Sequence, residues 1–344
     1  MDQPIAIDYP LHDLPPAGKA LPAAPGIEWV RMPLPFALDH VNLWLLHDGD
    51  GYTLVDAGIA LDSIKESWEA ILASVCAAKP IRRLIVTHYH PDHLGLGAWL
   101  AAKLGIEVWM TQGEYLAALA VREQLAGFGV PAMLKQFRAN GLDEARLDAL
   151  ARRGNSYRRG VPDLPDHYRR MVDGEDLRID GRNWRVMVGH GHSPEHAALY
   201  CEQLGVLISG DMVLPRITTN VSVLAATPDA DPLKLYLDSL ARYAQLSADT
   251  LVLPSHGRPF RGLRQRVEFV AAHHRERCDL LLACCPAPRS AAELLPTLFT
   301  RELDPHQVMF AMGETIAHLN RLVYAGELHK VEGSDGITRF VTLH

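Results

Sequence analysis

Four side chains of types that commonly bind metal ions stand within six residues in the sequence THYHPDH. Alternation in an extended stretch places His88 and His90 on one side, and the turn at Pro91 lets Asp92 and His93 face another. One loop can therefore supply ligands to two metal ions.

Three more ligand-type residues follow apolar, strand-like stretches farther along the chain. They are His192 in GHGHSPEH, Asp211 in LISGDM and His256 in LPSHG. Neighbouring Gly and Ser residues allow the chain to turn into a cleft at each strand end. Together with the first loop this makes five imidazoles and two carboxylates, a set that suits a pair of borderline ions such as Zn²⁺.

The segments around these residues indicate a layered α/β protein. Between Ile27 and Asp56, short apolar stretches separated by the turn sequence HDGDG predict antiparallel strands with a hairpin. A strand at 83–87 leads into THYHPDH, a helix is predicted over 97–104, and further strands are expected at WRVMVG, ALYC, VLISGD and TLVLPSH. The functional loops are thus expected at strand ends.

Two stretches depart from this order. Residues from about 112 to 173 are helical by pattern, with no strand expected before LRID, and we interpret them as a helical cap inserted into a first domain of residues 1–262. Residues 263–344 predict three helices and a terminal β-hairpin, the outline of a small winged-helix-like domain.

The charge of this C-terminal domain argues against a role in reading DNA. It carries nine Lys or Arg and ten Asp or Glu, and the would-be recognition helix contains Glu314, His318 and Arg321 where a basic face would be needed. A role in packing, dimerisation or lining a pocket is favoured. His273 and His274, on the preceding long helix, are expected at the surface.

Composition narrows the class of protein further. The chain has 344 residues, 48% of them hydrophobic, and is expected to fold throughout. A net charge of −7 argues against a surface built to grip nucleic acid or an anionic membrane. The five cysteines lack the even spacing of a disulfide framework, and no export signal or long apolar run is visible. We therefore expect a cytoplasmic protein with no membrane partner.

With these motifs the sequence resembles the metallo-β-lactamase superfamily over about residues 27–260. The likeness rests on the HxHxDH, GHSPEH, GD and SHG elements in their expected order, and on Asp56 in VDAG, which matches an early structural aspartate. Within the superfamily it resembles glyoxalase II and the β-lactamase-like proteins that carry a C-terminal winged helix. The resemblance implies a four-layer αββα sandwich.

The resemblance also implies a binuclear centre. One ion is expected on His88, His90 and His192 and the other on Asp92, His93 and His256, with Asp211 bridging both. Two divalent ions are expected, zinc first, with iron and manganese as alternatives. A metal-bound hydroxide would be the nucleophile, and Asp92 and Asp211 are the expected catalytic carboxylates, with Asp92 orienting that nucleophile or passing on its proton.

Residues beside the ligands are assigned supporting roles. In similar proteins only the middle histidine of GHGHSPEH binds metal, so His196 is expected to support the ligands and His190 to shape the loop. Asp56 is expected to fix the ligand loop by hydrogen bonds. Tyr89 is a candidate substrate contact, with packing beside the loop as the alternative.

An arginine-rich stretch lies within the predicted cap. Between Arg152 and Arg170 there are six arginines and two aspartates, a net charge of +4. With Tyr157 interleaved, Arg158 and Arg159 are candidate contacts for the phosphates of coenzyme A or a nucleotide, or for a substrate carboxylate. A solvated helix end paired with acidic neighbours is the alternative.

The leading hypothesis is a hydrolase of a small-molecule thioester, ester or lactone with an anionic tail, an acyl-coenzyme A among the candidates. A nuclease or phosphodiesterase is the rival, although the near-neutral tail disfavours nucleic acid as a partner. A third hypothesis is a mononuclear iron dioxygenase of the persulfide type, with metal on His88, His192 and Asp211 alone. The complete ligand set disfavours an inert binding protein, and a homodimer stays open.

Overall fold

The computed structural model describes residues 7–36 and 38–342. The chain divides into two compact units, each assembled from segments that are separate in sequence. The first contains Met1–Leu119, Tyr157–Thr219 and Ser239–Val267, and the second Ala120–Ser156, Asn220–Asp238 and Glu268–His344. The domain limits expected at residues 112, 173 and 262 stay predictions. Within the described ranges, no helix is long and apolar enough to cross a bilayer.

The larger sheet of the first unit has seven strands in sequence order. They are β1 (Ala20–Ala24), β2 (Ile27–Pro33), β3 (His40–Asp48), β4 (Gly51–Val55), β5 (Ile81–Ile85), β6 (Glu107–Thr111) and β7 (Arg169–Met171). Strands β1 to β4 pair antiparallel and β4 to β7 parallel. The predicted hairpin is confirmed at β3–β4. The expectation of no strand before LRID was wrong, since β7 lies there. The strand was missed because it has only three residues and shows no alternation that a pattern could reveal.

The smaller sheet of this unit has five strands, ordered β12-β11-β10-β9-β8. They are β8 (Asp176–Ile179), β9 (Arg182–Gly189), β10 (His196–Cys201), β11 (Val206–Gly210) and β12 (Leu251–Pro254). All pair antiparallel except β11 and β12, which are parallel. A single turn of 3₁₀ helix, Glu202–Leu204, joins β10 to β11.

The two sheets share one hydrophobic core. Trp29 and Trp44 of the larger sheet stack with ring centroids 6.1 Å apart and belong to the same buried cluster as Trp184, Leu199 and Leu253 of the smaller sheet. Each of these strands alternates side chains between its two faces, so one face of every strand contributes to this layer. The inner ββ layers expected from the sequence are confirmed.

Helices cover the outer faces of the sandwich. Helix α1 (Asp62–Ala73) buries Ile64, Trp68 and Ile71 at helical spacing. The short α2 (Pro91–Leu94) and α3 (Gly97–Leu104) follow β5, and α3 contacts β5 and β6. In the last turns of α8 (Pro232–Tyr243), the Tyr243 hydroxyl donates to the Met187 carbonyl of β9. The layers therefore run helix, sheet, sheet, helix.

The second unit is mainly helical. It contains α5 (Val130–Ala139), α6 (Glu144–Arg153), α10 (Ala291–Leu298), α11 (Pro305–Tyr324), β13 (Leu328–Glu332) and β14 (Thr338–Thr342). Four of the five points where the chain passes between units lie in helices α4 (Gln112–Arg122), α7 (Ser156–Gly160), α8 and α9 (Leu263–Ala283). The fifth lies between Thr219 and Asn220. Phe137, Leu150, Leu281, Met312 and Phe340 share one buried cluster, so α5 and α6 pack with the C-terminal elements. The winged-helix classification stays a prediction.

Helix α11 is buried on all sides over residues 311–320. Its cap is strong, since Asp304 and Gln307 form a reciprocal capping box. His318 is fully buried and contacts Nδ1 of His274 at 3.0 Å. The expectation of a surface position for His274 was wrong, because its side chain turns inward from α9 and is only 1% exposed.

Candidate metal centre

The candidate site lies where strands of the first unit end. Strand β5 continues into the loop 87–93, the loop 190–195 joins β9 to β10, and β11 ends directly before Asp211. Strand β12 ends two residues before His256. Because β5 belongs to the larger sheet and the others to the smaller one, the site spans both sheets at one edge of the sandwich. All seven ligand-type residues come together there in two groups.

The first group contains three imidazoles and one carboxylate. Nε2 of His88 lies 2.9 Å from Nδ1 of His90 and 3.3 Å from Nε2 of His192. Oδ2 of Asp211 lies 3.6 Å from His192 Nε2 and 3.9 Å from His88 Nε2. The four ligand atoms lie within 4.8 Å of one another, which is the spacing that one central ion requires.

The second group contains Asp92, His93 and His256, and it meets the first at Asp211. Nε2 of His256 lies 3.4 Å from Asp92 Oδ2 and 3.3 Å from Asp211 Oδ1. Nε2 of His93 lies 3.6 Å from Asp92 Oδ2 and 3.7 Å from Asp211 Oδ1. The two oxygens of Asp211 therefore face different groups.

Asp56 fixes the loop that carries four of these residues. Its backbone adopts a φ of 63°, a left-handed conformation that is uncommon outside glycine. Oδ1 accepts the Thr87 N–H at 2.7 Å, and Oδ2 accepts both the Thr87 hydroxyl at 2.9 Å and Nδ1 of His93 at 2.8 Å. Through these bonds the carboxylate that follows β4 contacts both the start and the end of the loop.

The same contacts determine which ring nitrogen faces the site. The Thr87 hydroxyl donates its one proton to Asp56, so at 3.0 Å it must accept the Nδ1 proton of His88. His93 donates from Nδ1 to Asp56, and His256 donates from Nδ1 to the His40 carbonyl at 2.7 Å. In all three rings Nε2 is left to face the centre, an arrangement typical of metal-binding histidines.

The neighbouring histidines of the GHGHSPEH loop do not join the two groups. Nε2 of His196 accepts the Asp211 N–H at 3.1 Å, so His196 positions the backbone of Asp211. Gly210 lies against this ring so closely that a Cβ there would collide with it. His190 lies outside the groups, with Nδ1 donating to the Pro194 carbonyl at 2.6 Å.

Two residues of β3 that the sequence analysis did not single out hold the loop of His256. The His40 carbonyl accepts from His256, and Nε2 of His40 accepts the Gly257 N–H at 2.8 Å. The side chain of Asn42 donates to the carbonyls of Pro254 and Gly257, both at 2.8 Å. A signal for them exists, because polar residues at two-residue spacing interrupt an apolar strand in HVNLWLL.

Glu114 was also missed. This residue of α4 is completely buried, and its carboxylate accepts hydrogen bonds from Tyr89 N–H, the Ser193 hydroxyl and Glu195 N–H. Burial raises the pKa of the carboxyl to about 7, against the effect of its three donors. No sequence signal distinguishes it from an ordinary glutamate of an amphipathic helix.

Charge differs between the two ligand groups. Burial lowers the pKa of His88 well below its usual value and that of His90 to about 3, and neighbouring imidazoles add to the effect. At His93 burial also acts to lower the pKa, but nearby carboxylates, Asp92 first, outweigh it and raise the pKa to about 9. The carboxylates around His93 therefore favour positive charge in the second group.

The donor set fits divalent metal ions. Imidazole nitrogen and carboxylate oxygen are ligands that zinc binds readily, and iron and manganese also accept them. Nε2 of His93 and Oδ1 of Asp211 are buried and have no hydrogen-bond partner among the described residues. Such atoms are costly unless a bound group satisfies them, so the centre is built to contain a cation.

Two of the four candidate substrate residues, Tyr89 and Tyr157, contact each other at the ligand loop. Tyr89 is buried, and its carbonyl accepts the Tyr157 hydroxyl at 2.6 Å, so both tyrosines make packing contacts with the ligand loop. Arg158 and Arg159 are exposed on α7. Arg169, from the same arginine-rich stretch, lies over the Trp109 ring and pairs with a nearby glutamate, so the six arginines do not form one cluster.

Comparison with known proteins assigns the family. The model of the metallo-beta-lactamase superfamily matches residues 37–256. The chain belongs to the metallo-β-lactamase superfamily. A second model, of the metallo-beta-lactamase-like C-terminal domain, matches residues 278–343. This superfamily member is therefore a metal-dependent hydrolase with an additional C-terminal domain.

Individual relatives agree with this assignment. The crystal structure of a beta-lactamase domain protein from Burkholderia ambifaria is 47% identical, covers 98% of both chains and has a TM-score of 0.92. A metallo-beta-lactamase family protein from Thermus thermophilus is 31% identical, covers 93% of this chain and 99% of its own, and has a TM-score of 0.77. The probable metallo-hydrolase YqjP of Bacillus subtilis is 28% identical over 312 residues, which are 85% of this chain and 91% of YqjP.

Proposed function

We propose that this superfamily member is a binuclear hydrolase of small-molecule thioesters. The binuclear part of this proposal rests on the orientation of Asp211. Its Oδ2 faces the first ligand group and its Oδ1 faces the second. A mononuclear iron dioxygenase would use only His88, His192 and Asp211. The second group would then have no role, although Asp92, His93 and His256 converge as closely as the first group does.

The chemistry follows from the residues around the centre. Divalent ions bound there would supply a water of lowered pKa and would polarise the bond to be cleaved. Burial raises the pKa of Asp92, but His93 and His256 outweigh it, so the carboxylate is ionised at neutral pH. Its side chain is 20% exposed and can accept the proton of a water held beside it. Asp56 keeps His93 oriented while this happens.

Distant relatives support a thioester as the substrate. An atrochrysone carboxyl ACP thioesterase of Aspergillus fumigatus is 24% identical over 248 residues, which are 71% of this chain and 60% of that protein. The hydroxyacylglutathione hydrolase GloC of Haemophilus influenzae is 23% identical over 178 residues, 52% of this chain and 69% of that protein. Both named substrates join an acyl group to the thiol of a larger carrier. Esters and lactones need the same nucleophile and are the next candidates.

The position of α7 supports an anionic carrier. The Tyr157 hydroxyl donates to Tyr89 of the ligand loop, and the Gly160 backbone lies against Pro91 of that loop. The exposed Arg158 and Arg159 lie between these two contacts in sequence. Guanidinium groups on a helix that contacts the ligand loop suit phosphate or carboxylate groups of a carrier such as coenzyme A.

The C-terminal part does not favour a nuclease. The helix that would read nucleic acid is α11, and residues 311–320 of it are buried. Arg321 is paired with Asp231 at 2.8 Å. A recognition helix has to present an exposed, basic face to the groove, and this part of α11 presents none.

A substrate panel run together with metal quantification tests the proposal. We expect about two metal ions per chain, and release of free thiol from an acyl-coenzyme A or acyl-glutathione at a rate at least about a hundred times that of RNA cleavage. Cleavage of single-stranded RNA with every thioester left intact would establish the nuclease instead. One iron per chain, with oxygen consumed when a persulfide is added, would establish the dioxygenase.

A further inference from the structure

Glu114 is a glutamate completely buried beside the centre, and it binds no metal ligand side chain directly. Carboxylates are rarely buried to this degree unless strong partners compensate the lost hydration. Its partners are three hydrogen-bond donors: Tyr89 N–H at 2.9 Å to Oε2, and the Ser193 hydroxyl at 2.7 Å and Glu195 N–H at 2.6 Å, both to Oε1. The two oxygens therefore bind two different loops.

Two of these three donors stand next to residues of the first ligand group. Tyr89 lies between His88 and His90 in sequence, and Ser193 directly follows His192. The loop of Tyr89 extends from the larger sheet and that of Ser193 from the smaller one. One side chain thus fixes the spacing between the two loops that contribute all three imidazoles of this group.

The second ligand group has no such contact with Glu114. His93 is oriented by Asp56, and His256 by the His40 carbonyl. Asp92 lies beyond the turn at Pro91, away from the Tyr89 N–H in sequence. Loss of the Glu114 contacts should therefore act unequally on the two metal positions.

We propose that Glu114 is a positioning residue that sets the metal affinity of the first group, His88, His90 and His192, without setting that of the second. The inference rests on the proposed binuclear centre. Outer contacts of this kind typically change metal affinity by about 10- to 100-fold when removed. The predicted effect is therefore a selective loss at one of two adjacent ions.

Glu114→Gln is the informative variant. Glutamine keeps the length of the side chain, and its carbonyl oxygen can still accept from Ser193 and Glu195. Its NH₂ group would then face the Tyr89 N–H, and two donors cannot bond to each other. Glu195→Gln is the matched control, since that half-buried glutamate lies on the same loop and, among the described residues, its side chain accepts only the Gly113 N–H, at 2.8 Å.

The experiment measures Zn²⁺ affinity of metal-free protein by competition with a chromophoric chelator. His256→Ala and His192→Ala backgrounds report the first and second group separately. We expect Glu114→Gln to weaken binding about 10- to 100-fold in the His256→Ala background and less than about twofold in the His192→Ala background. Glu195→Gln should change neither by more than about twofold.

Three outcomes would overturn the inference: equal loss in both backgrounds, loss in the second alone, or no loss in either. If Glu114→Gln does not fold by far-UV circular dichroism, Glu114→Asp is judged by the same criterion, because it keeps the charge but is too short to reach both loops. Failure of the binuclear proposal is distinguishable, since wild-type protein would then bind fewer than two Zn²⁺ ions before any variant is made.

Discussion

Asn42 offers a direct test of how the loop of His256 is held. The side chain is fully buried on β3, and all its polar atoms are used. Nδ2 donates to the carbonyls of Pro254 and Gly257, and Oδ1 accepts Nε1 of Trp29, each at 2.8 Å. Replacing Asn42 with Leu keeps a side chain of similar size but can make none of these bonds.

The expected loss of stability follows from the groups left without partners. The Trp29 N–H and the Pro254 carbonyl remain buried, and each unsatisfied buried group costs about 1 to 3 kcal/mol. The Gly257 carbonyl is only part-buried and can turn to water. We therefore expect Asn42→Leu to lower the free energy of unfolding by about 2 to 6 kcal/mol. Because the loop carries His256, Zn²⁺ affinity of the second group should fall as well.

Tryptophan fluorescence in a urea titration of metal-free protein measures this loss. All six tryptophans lie in segments of the first unit, so the signal reports on that unit alone. Asn183→Leu is the control, because Asn183 is exposed on β9 and its replacement should cost less than about 0.5 kcal/mol. A loss below about 1 kcal/mol for Asn42→Leu, or one equal to the control, would refute the reasoning.

Three further predictions concern catalysis, specificity and acid stability. Asp211→Ala should reduce turnover more than about a thousandfold with unchanged far-UV circular dichroism, since it removes the carboxylate that faces both groups; near-normal turnover would contradict the binuclear assignment. Joint replacement of Arg158 and Arg159 with Ala should raise KM for an acyl-coenzyme A about tenfold and leave KM for an uncharged thioester unchanged. A variant with the wild-type KM for the acyl-coenzyme A would assign both arginines to the solvated surface. Burial lowers the pKa of His318 to about 4, below the value of about 6.5 in an unfolded chain. Protonation then favours unfolding, and stability should fall between about pH 6.5 and 4. In urea titrations followed by circular dichroism, His318→Gln should reduce that fall in stability by about 2 to 3 kcal/mol. An unaltered pH dependence in this variant would be evidence that protonation of His318 does not cause the fall.

The ligand-type residues could be found from the sequence because each one is locally marked. His88 follows an apolar strand, and Pro91 marks the turn that separates the two ligand pairs of that loop. Asp211 and His256 stand beside Gly at the ends of buried strands. The order of strands, loops and helices also predicted a layered α/β protein, and the resemblance to the superfamily implied its two inner sheets. Local pattern was sufficient where a site residue and the sequence feature that marks it lie within about ten residues of each other.

The residues that were missed depend on contacts distant in sequence. Glu114 is 79 positions from Ser193, and His40 is 217 positions from Gly257. Neither contact can be inferred before the relative positions of the two sheets are known. The error at His274 has the same origin, since its buried partner His318 lies 44 positions away on another helix. Long-range polar contacts are the part of a site that one sequence does not reveal.

These contacts share an origin in the larger sheet. Asn42 lies on β3 and holds the loop 254–257 of the smaller sheet, and Glu114 follows β6 and holds the loop of Ser193. The spacing of the ligands is therefore set by how one sheet is placed on the other. The two sheets meet in one shared core, to which Trp29 of the larger sheet belongs, and Trp29 also donates to Asn42. Since one side chain belongs to both the core and the network behind the site, we expect a change of core packing at Trp29 to alter the position of the loop that carries His256.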